Sequence, residues 1–460
     1  MKPSIPKGTR DFGPEDVRKR DFIFSIIRNQ FKLFGFQPIE TPAMENIQTL
    51  TGKYGDEGDQ LIFKILNSRL HESKKKEELR EKFEESLNAS INTDVLTEKA
   101  LRYDLTVPFA RFVVMHQNDI VFPFRRYQIQ PVWRADKPQK GRYREFYQCD
   151  ADMIGSNSLV NELELISLIE SVFAELKIPV TLKLNNRKIL SGLAEICDAS
   201  DKLIDITVAI DKLDKIGKDG VVKELQEKQL SEAAINKITP LLDFKGDFKS
   251  KLDLLNNIFS NSEIGKKGIE ELSHIWNSLP NLDLKHINLE LDITLARGLN
   301  YYTGTIFEVK ANAGDFSPSI LGGGRYDDLT GVFGLKNMSG VGISFGIDRI
   351  YDVMNELHLF PQEEITLSTT KILFVNFGKE EEQFCLKLIS DLRKQNIACE
   401  LYPDNKKMQK QFEYADKKRI PYVCIIGSNE MQTGKFSLKN LQSGEQTQVS
   451  KEELIAVVKN

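Results

Sequence analysis

Three arginines occur in separate parts of the chain, each beside a glycine or at the end of a strand-like segment. Arg134 ends a polar strand face, and Arg297 lies in a turn that precedes a glycine. Arg349 follows an apolar strand at the point where a helix begins. A guanidinium is permanently charged and forks onto carboxylate or phosphate, so three converging arginines would suit a polyanion such as ATP. Taken singly, each is more often a surface or ion-paired residue.

Two extended segments joined by a polar loop carry hydrogen-bonding side chains on one face. The period of two along a strand places these residues together: Arg126, Gln128, Gln130 and Arg134 before the loop, and Gln148, Asp150 and Asp152 after it. Such faces are too polar for a core and are predicted to line a cavity. The connection over 136–143 carries three basic residues and is long for a hairpin, which predicts a mobile, functional loop.

A glycine triplet at Gly322, Gly323 and Gly324 predicts a flexible loop that lets backbone approach a ligand, and a tight turn is an equal interpretation. The common phosphate-loop, dinucleotide, zinc-protease and serine-elbow motifs do not occur. Five scattered cysteines and five dispersed histidines give no paired-cysteine zinc site and no disulfide framework. A metal ion held by the protein alone is therefore not expected.

Length and composition restrict the class of protein. The 460 residues predict about three domains, and 63 basic against 67 acidic residues give a net charge of 63 − 67 = −4. That balance excludes a purely charge-driven nucleic-acid binder. No apolar stretch is long enough to span a bilayer, and the first residues lack the apolar core of a secretory signal. We therefore expect a cytoplasmic enzyme or binding protein.

Periodicity divides the chain into regions. Helical spacing predicts amphipathic helices over 18–34 and 159–176, the first followed by Gly35 in a left-handed C-cap. The segment 67–99 is a charged insertion, and 185–284 is helix-rich, which predicts an inserted helical domain. Strands are predicted over 287–295, 301–309 and 341–345. Residues 371–460 alternate strands and helices, which predicts a small α/β domain with a largely parallel sheet.

Several ordered motifs resemble those of class II aminoacyl-tRNA synthetases. They are Thr41-Pro42, the block from Arg134 to Asp152, and the segment from Gly342 to Arg349. The segment 295–304, with Arg297 and the pair Tyr301-Tyr302, resembles a signature of the histidyl-tRNA synthetase family, and the opening 8–12 is similar to that family's start. The match covers nearly the whole chain.

The resemblance implies a fold and an activity. The fold is an α+β catalytic domain with an antiparallel sheet flanked by helices, formed by 1–184 and 285–360, with a helical insertion at 185–284 and an anticodon-binding α/β domain at 371–460. The activity is the ATP-dependent, Mg²⁺-assisted activation of L-histidine and its transfer to histidine tRNA. A homodimer whose interface includes Pro42 is also implied.

Family roles carry over to matching positions. Arg134 would contact the α-phosphate and the histidine carboxylate, Arg349 the γ-phosphate, and Arg142 would close over ATP. Arg297 would lie on the opposite side of the α-phosphate as a catalytic arginine. The histidine would be surrounded by residues of four segments: Asp104, Leu105, Thr106, Arg134, Gln148, Asp152, Arg297, Tyr301 and Tyr302.

Two departures from the family pattern and three alternatives remain. The charged insertion at about 67–99 is one departure, and the resemblance gives it no role. Asn300 stands where the family usually has Asp, which removes a charge near the imidazole pocket. A soluble protein with purely structural arginines is the first alternative. A catalytically silent relative, the regulatory subunit of ATP phosphoribosyltransferase, is the second; it is opposed by the 371–460 region and the arginine set. A synthetase for another amino acid is opposed by the tyrosine pair.

Overall fold

The computed structural model describes residues 2–88, 95–296, 301–312, 314, 318–361 and 368–459, without the side chains of 56 and 57. The predicted site residue Arg297, the neighbouring Asn300 and part of the charged insertion therefore lie outside the described residues. The chain divides into two compact units, Met1–Leu359 and Phe360–Asn460, and each has its own sheet.

The first unit contains eleven described strands. In chain order they are β1 (Gln37–Pro38), β2 (Met44–Asn46), β3 (Lys64–Ile65), β4 (Lys99–Leu101), β5 (Phe124–Trp133), β6 (Glu145–Ile154), β7 (Val180–Asn186), β8 (Ile287–Leu291), β9 (Thr305–Ala311), β10 (Leu321–Tyr326) and β11 (Gly340–Gly346).

Thirteen described α-helices belong to the same unit. They are α1 (Pro14–Leu33), α2 (Ile47–Leu50), α3 (Gly55–Gln60), α4 (Lys76–Asn88), α5 (Thr106–Met115), α6 (Val160–Leu176), α7 (Arg187–Ile196), α8 (Leu203–Asp211), α9 (Leu213–Glu227), α10 (Glu232–Leu242), α11 (Phe248–Ile258), α12 (Glu263–Ser278) and α13 (Ile347–Glu356). Short 3-10 helices span Leu70–Glu72, Ser200–Lys202, Leu279–Asn281 and Leu329–Phe333.

The main sheet has eight strands in the order β1-β5-β6-β11-β10-β9-β7-β8. The pairings from β5 to β7 are all antiparallel, and only the two edge pairs, β1 with β5 and β7 with β8, are parallel. The predicted antiparallel catalytic sheet flanked by helices is therefore confirmed. A second, three-stranded sheet has the order β2-β4-β3.

The apolar face of the main sheet is covered by helices. Phe31 of α1 lies 6.0 Å, between ring centroids, from Phe345 of β11, and Phe173 of α6 lies 5.8 Å from the same ring. All three side chains are buried. Because successive residues of a strand point to opposite faces, this arrangement leaves the polar side chains of β5 and β6 on the other face of the sheet.

The predicted helix over 18–34 forms as α1, which starts earlier because Pro14 occupies the first helical position, where a missing N–H costs nothing. The backbone φ of Gly35 is +76°, as expected for a left-handed residue that ends a helix. The strand predicted over 301–309 begins only at Thr305, and the strand predicted over 287–295 ends at Leu291.

The glycine triplet is not a loop, and that prediction was wrong. Gly322, Gly323 and Gly324 lie within β10, between β9 and β11. A Cβ on Gly323 would approach the carbonyl oxygen of Gly342 to 2.3 Å, so this strand can pack here only without side chains. Glycine has no side chain to alternate, and the period-two signal of a strand was therefore missing from the sequence.

Two other regions of the first unit were singled out in the sequence, the helix-rich segment and the charged insertion. Between Arg187 and Ser278 the described chain forms α7 to α12 and one 3-10 turn. In α4, within the charged segment, Leu79 is the one buried side chain, whereas Phe83 and Leu87 are exposed.

The second unit is built on a five-stranded sheet. Its elements are β12 (Ile372–Phe374), α14 (Lys379–Lys394), β13 (Cys399–Leu401), α15 (Met408–Lys417), β14 (Tyr422–Ile425), α16 (Ser428–Thr433), β15 (Phe436–Asn440), β16 (Gln446–Val449) and α17 (Lys451–Lys459). The strand order is β13-β12-β14-β15-β16. Two pairings are parallel and two are antiparallel, so the sheet is mixed rather than largely parallel.

No helix of the described chain is both long and apolar enough to cross a membrane.

Candidate active site

The polar face of the main sheet forms a floor of paired side chains. In the antiparallel register of β5 and β6, Arg126 lies opposite Asp152, and Gln128 lies opposite Asp150. On the far side of β6, Asp152 lies opposite Gly342. The sequence pattern placed these residues on one face, and the register brings them side by side. We call this set the floor, and we include in it Gln148, Tyr302 and Asp104 with its tyrosine partners, which are described below.

Arg126 is the cation of the floor and is fully buried. Its Nη2 lies 2.8 Å from Asp152 Oδ2 and 3.8 Å from Asp150 Oδ2, and its guanidinium carbon lies 4.3 Å from the centre of the Phe109 ring. One cation thus faces two carboxylates. Burial is the main influence on the pKa values of these two carboxylates, and nearby charges, among them that of Arg126, also affect them.

The pKa of Asp150 is raised to about 7, first by burial and then by the nearby charge of Asp152, against the opposing effect of Arg126. The pKa of Asp152 is also raised, again chiefly by burial. Its Oδ1 accepts a hydrogen bond of 2.7 Å from the Tyr326 hydroxyl. Asp150 therefore changes its protonation state near neutral pH, whereas an exposed aspartate does so near pH 3.9.

Asp104 holds a second group of contacts. It accepts hydrogen bonds from the Tyr54 hydroxyl at 2.9 Å and the Val107 amide at 3.1 Å through Oδ1, and from the Tyr301 hydroxyl at 3.1 Å through Oδ2. The Val107 amide belongs to the first turn of α5, where a helix has unpaired N–H groups. Burial raises the pKa of Asp104.

Glycines of β10 and β11 make space for these side chains. A Cβ on Gly342 would lie 2.0 Å from Asp152 Oδ1, and a Cβ on Gly324 would lie 2.9 Å from the Tyr302 ring. Tyr302 meets Tyr301 edge to face, with ring centroids 5.1 Å apart. Gly342 thus lets the Asp152 carboxylate lie against the backbone of β11, and Gly324 of the triplet, in β10, does the same for the Tyr302 ring.

Within the described chain, three buried polar atoms of the floor have no hydrogen-bond partner. They are Arg126 Nε, Gln148 Oε1 and Asp150 Oδ1. The Gln148 amide donates instead through Nε2, at 2.7 Å to the Ser344 hydroxyl. Buried polar atoms are almost always paired in folded proteins, so these three mark the floor as a place with hydrogen-bonding capacity to spare.

Arg134 stands just beyond the end of β5. Its Nε donates at 3.0 Å to the Tyr103 carbonyl, and its guanidinium carbon lies 4.2 Å from the Tyr103 ring and 5.2 Å from the Phe146 ring. Its backbone amide donates at 2.9 Å to the Arg144 carbonyl across the hairpin. The side chain is thus held by a neutral carbonyl and two aromatic faces.

Arg349, in the first turn of α13, is held in the same way. Its Nε donates to the Gly141 carbonyl at 2.8 Å and its Nη1 to the Ser319 carbonyl at 2.6 Å. Its pKa is lowered to about 10, first by burial and then by the positive charges of Arg134 and Arg142. The Gly141 carbonyl that Arg349 contacts directly precedes Arg142, and the Arg134 amide bonds to Arg144 just after it, so the three arginines lie around one loop. We call Arg134, Arg142 and Arg349 the rim.

Arg142 is the most exposed member of the rim. Its Nη1 lies 3.4 Å from Asp136 Oδ1, and its backbone pairs with Gln139 in an isolated bridge that tightens the loop. Apart from Pro42, the predicted site residues that the structure describes thus form two neighbouring groups in the first unit. Leu105 is buried next to Asp104 and its carbonyl accepts from Arg126 Nη2 at 3.3 Å, and Thr106 begins α5. Pro42 is exposed, outside both groups.

Sequence reasoning missed four residues of the site. Arg126 and Asp150 were visible on the polar strand face but were not assigned to the site. Tyr326 follows the glycine triplet, and only the strand structure brings its hydroxyl to Asp152. Tyr54 has no distinguishing pattern in the sequence. The alternation of β5 and β6 was therefore the signal that could have added Arg126 and Asp150.

The arrangement joins two chemistries on one sheet. The rim offers fixed positive charge that carbonyls and rings hold in place, which suits phosphate groups. The floor offers carboxylates, hydroxyls and amides in a buried setting, which suits a small ligand with both donors and acceptors. Among the described residues, no three His, Cys, Asp or Glu side chains cluster in a way that could hold a metal ion.

Two family models match separate parts of the chain. A family model for histidyl-tRNA synthetase matches residues 91–350, and a model for an anticodon binding domain matches residues 371–460. The histidine–tRNA ligase of Christiangramia forsetii is 58% identical over 451 residues, which cover 97% of each chain.

Two solved structures extend the comparison. The histidyl-tRNA synthetase of Nostoc sp. PCC 7120 superimposes with a TM-score of 0.78 at 29% identity, covering 100% of this chain and 99% of that one. A Bacillus halodurans protein described as an ATP phosphoribosyltransferase regulatory subunit/histidyl-tRNA synthetase has a TM-score of 0.70 at 20% identity, covering 92% of this chain and 99% of that one. At 20% identity, that likeness concerns the fold.

Proposed function

The chain belongs to the histidyl-tRNA synthetase family, and we propose that the floor binds histidine while the rim binds ATP during the synthesis of histidyl-adenylate. The overall activity is that of a histidine–tRNA ligase, which activates histidine with ATP and transfers it to tRNA. The high identity over nearly the full length favours this activity over the regulatory alternative. The observation that carries the proposal is the convergence of Arg134, Arg142 and Arg349 beside the buried floor.

Adenylate synthesis requires two anions to meet. The histidine carboxylate attacks the α-phosphorus, pyrophosphate leaves, and negative charge grows on the phosphate oxygens between them. We assign Arg134 to the α-phosphate and the carboxylate, Arg349 to the γ-phosphate, and Arg142 to closure over ATP. Fixed cations lower this barrier because they need no reorganisation as the charge develops. Arg297, outside the described residues, is proposed as the catalytic arginine on the other side of the α-phosphate.

The floor supplies the recognition of histidine. We assign the substrate ammonium to Asp104 with Thr106 and Gln148, whose Oε1 is buried without a partner in the described chain. A neutral imidazole has one N–H donor and one bare nitrogen. Asp152 would accept from the donor, and a hydroxyl of Tyr301 or Tyr302 would donate to the bare nitrogen. Analogues lacking either group should be rejected by roughly 10⁴–10⁵.

The deciding experiment is histidine-dependent exchange of pyrophosphate into ATP, measured with each of the twenty amino acids. We expect exchange with histidine alone. Exchange that does not depend on histidine would contradict the specificity, and no exchange at all in folded protein would contradict the activity. The matched control for variants of the site is Arg125→Ala. Arg125 lies in β5 next to Arg126 but points to the other face of the sheet, where its Nη1 lies 2.8 Å from Glu164.

We propose that ATP enters as its Mg²⁺ complex. The ion would lie on the phosphates and neutralise the charge that the rim arginines do not reach. A chelator added in excess over Mg²⁺ should stop exchange, and excess Mg²⁺ should restore it. Exchange that persists in the chelator would remove the metal from the reaction.

The remaining modules have proposed roles as well. We assign 1–184 and 285–360 to the catalytic core, 185–284 to an inserted helical domain, and 371–460 to binding the anticodon of histidine tRNA. The exposed lysines of α15 and its flanks supply positive charge for that contact: Lys406, Lys407, Lys410, Lys417 and Lys418. Lys407→Glu with Lys410→Glu should raise the KM for tRNA and leave exchange unchanged. An unchanged KM for tRNA would contradict this assignment.

A homodimer is proposed, with Pro42 in its interface. Pro42 and Met44 are exposed, and the next residue, Glu45, pairs through both oxygens with Arg111, whose Nη1 contacts the sulfur of the exposed Met115. These exposed apolar groups form a surface that a second copy would cover. Sedimentation of the wild type should give a dimer, and Met44→Asp should weaken it. The cytoplasmic location remains a prediction.

A further inference from the structure

The N-terminal segment 8–12 lies between the loop that carries Arg142 and the helix that carries Arg349. We call it the strap. The Gly8 carbonyl accepts a hydrogen bond of 2.9 Å from the Arg144 amide, and Gly8 has a backbone φ of +91°. A Cβ there would lie 2.8 Å from Pro138 and 2.9 Å from Arg144 side-chain atoms, so the strap packs directly onto the loop.

Arg10 joins the strap to α13. Its Nη2 donates to Asp348 Oδ1, and its Nη1 lies 3.7 Å from Asp352 Oδ1. Asp348 is buried, and its other contacts are Arg20 Nη1 at 2.7 Å and the Tyr147 amide at 2.9 Å. Asp348 therefore connects Arg10 to α1 and to β6 as well as to its own helix.

Arg10 also contacts the loop. Its guanidinium carbon lies 3.5 Å from the centre of the Tyr143 ring, and the Tyr143 hydroxyl donates to Asp352 Oδ2 at 2.9 Å. A guanidinium stacked flat on a ring while its nitrogens bind a carboxylate fixes both distance and orientation. Lysine cannot make both contacts in this way, because its ammonium is not planar.

The position of these partners in the sequence gives Arg10 its significance. Tyr143 directly follows Arg142, and Asp348 directly precedes Arg349. Arg349 in turn donates to the Gly141 carbonyl at 2.8 Å, which closes a ring of contacts from strap to helix to loop. We propose that Arg10 is a positioning residue that sets the distance between Arg142 and Arg349, and through it the affinity for the triphosphate of ATP.

This inference rests on the proposed function, because it takes Arg142 and Arg349 to be the phosphate-binding pair. It adds a residue that touches neither substrate. Its effect must therefore fall on ATP and spare histidine, whose proposed contacts on the floor involve none of the strap. A residue that merely stabilised the fold would affect both substrates alike.

The test compares Arg10→Ala, Arg10→Lys and the control Arg125→Ala in the exchange assay. Because misplacing a binding group by about an ångström can cost up to about 10²-fold, we expect Arg10→Ala to raise the KM for ATP at least about 10-fold. The KM for histidine should stay close to the wild-type value. Arg10→Lys should recover part of the loss, and Arg125→Ala should show none.

A binding measurement separates this inference from the activity itself. The chain has two tryptophans, Trp133 and Trp276, and Trp133 ends β5 at the base of the loop. In a Trp276→Phe background, the fluorescence of Trp133 reports ATP binding without catalysis. Arg10→Ala should raise the Kd for ATP by the same factor as it raises the KM for ATP.

Two kinds of result would overturn the inference, one from the single variant and one from a double variant. The first is a Kd for ATP in Arg10→Ala equal to that of the parent, or a KM that rises equally for both substrates. The second comes from the double variant Arg10→Ala/Arg142→Ala. If its Kd for ATP rises by the product of the two single-variant factors, the two residues act independently, and Arg10 does not act through Arg142. If the parent protein binds ATP but shows no histidine-dependent exchange, the proposed function fails. The role of Arg10 is then still tested by the Kd of Arg10→Ala for ATP.

Discussion

The rim and the floor are neighbours in the first unit and are held in different ways. At the rim, Arg134 and Arg349 are fixed by backbone carbonyls and aromatic rings, and in the described part of the chain no carboxylate lies within salt-bridge distance of either. On the floor, Arg126 faces Asp152 at 2.8 Å, and the carboxylates accept hydrogen bonds from tyrosines. Arg134 and Arg349 thus keep their charge without a carboxylate partner, whereas Arg126 is paired with a buried carboxylate. The exposed Arg142 is the exception at the rim, since its Nη1 lies 3.4 Å from Asp136 Oδ1.

This difference follows from the ligands that each group is proposed to hold. A polyanion is attracted most strongly by cations that have no counter-ion of their own, whereas a neutral ring needs directional donors and acceptors without a large field. Other arginines of the first unit, such as Arg111 with Glu45 and Arg325 with Glu162, are ion-paired. Arg134 and Arg349 have no such partner in the described part of the chain, and neither does Arg102, whose guanidinium donates to the Thr41, Pro42 and Pro131 carbonyls. Being held by carbonyls therefore does not by itself identify an anion site.

Arg126→Met should have the largest effect on stability, because it breaks the ion pair of the floor. The change leaves two buried carboxylates without their cation, which typically costs about 3–5 kcal/mol. We expect a lower free energy of unfolding for the first unit, measured by denaturant titration. Arg125→Ala on the neighbouring, partly exposed position is the control. Equal, small losses in both variants would show that the floor does not depend on Arg126.

Arg349→Ala should affect activity and leave the fold intact, because this arginine neutralises no carboxylate of the described chain. Loss of one charge-aimed donor typically costs about 3–4 kcal/mol, or a 10²–10³-fold lower rate. Pyrophosphate exchange measures the rate, and thermal unfolding checks the fold. Wild-type exchange in this variant would end the distinction between rim and floor, and so would a loss of stability as large as that of Arg126→Met.

Asp150→Asn should change the pH dependence of stability. The folded pKa of Asp150 is raised to about 7 by burial, while an unfolded aspartate titrates near 3.9, so the folded state binds more protons between these values. The contribution of Asp150 is therefore fully present below pH 4 and is lost as the pH rises through 7, by at most about 1.4 kcal/mol per pH unit.

Asparagine does not titrate, so the variant has no pH-dependent contribution from position 150. Its Tm relative to the wild type should rise between pH 5 and pH 7 and then level off. A constant difference across that range would mean that Asp150 is ionised throughout, and that the floor is more polar than its burial indicates. Above pH 8 neither chain should show a further change from this residue.

Sequence reasoning reached much of this site because strands alternate. The period of two along β5 and β6 put Arg126, Gln128, Asp150 and Asp152 on one face, and the antiparallel register then made them neighbours. The antiparallel fold itself came from the family resemblance. The contacts of the rim could not be read in this way, because the Gly141 and Ser319 carbonyls that hold Arg349 leave no pattern in the side chains.

The failures have physical causes too. The strand that contains the triplet is built of glycines because Tyr302 and the neighbouring strand occupy the space that side chains would need. Local sequence does not report such tertiary contacts. In the second unit, β15 and β16 are short strands with few apolar residues, and they turn the expected parallel sheet into a mixed one. Tyr54 enters the site only through its hydrogen bond to Asp104.

Strand β5 connects the two halves of the site through a single stretch of backbone. Arg126 and Arg134 are 134 − 126 = 8 residues apart, an even number, so both side chains project to the same side of the sheet. Inserting or deleting one residue between them would turn the second arginine away from the proposed nucleotide site, whatever the inserted residue. Inserting two would keep its orientation but move it by roughly 7 Å. Changes of length in this segment are therefore more damaging than most changes of residue type.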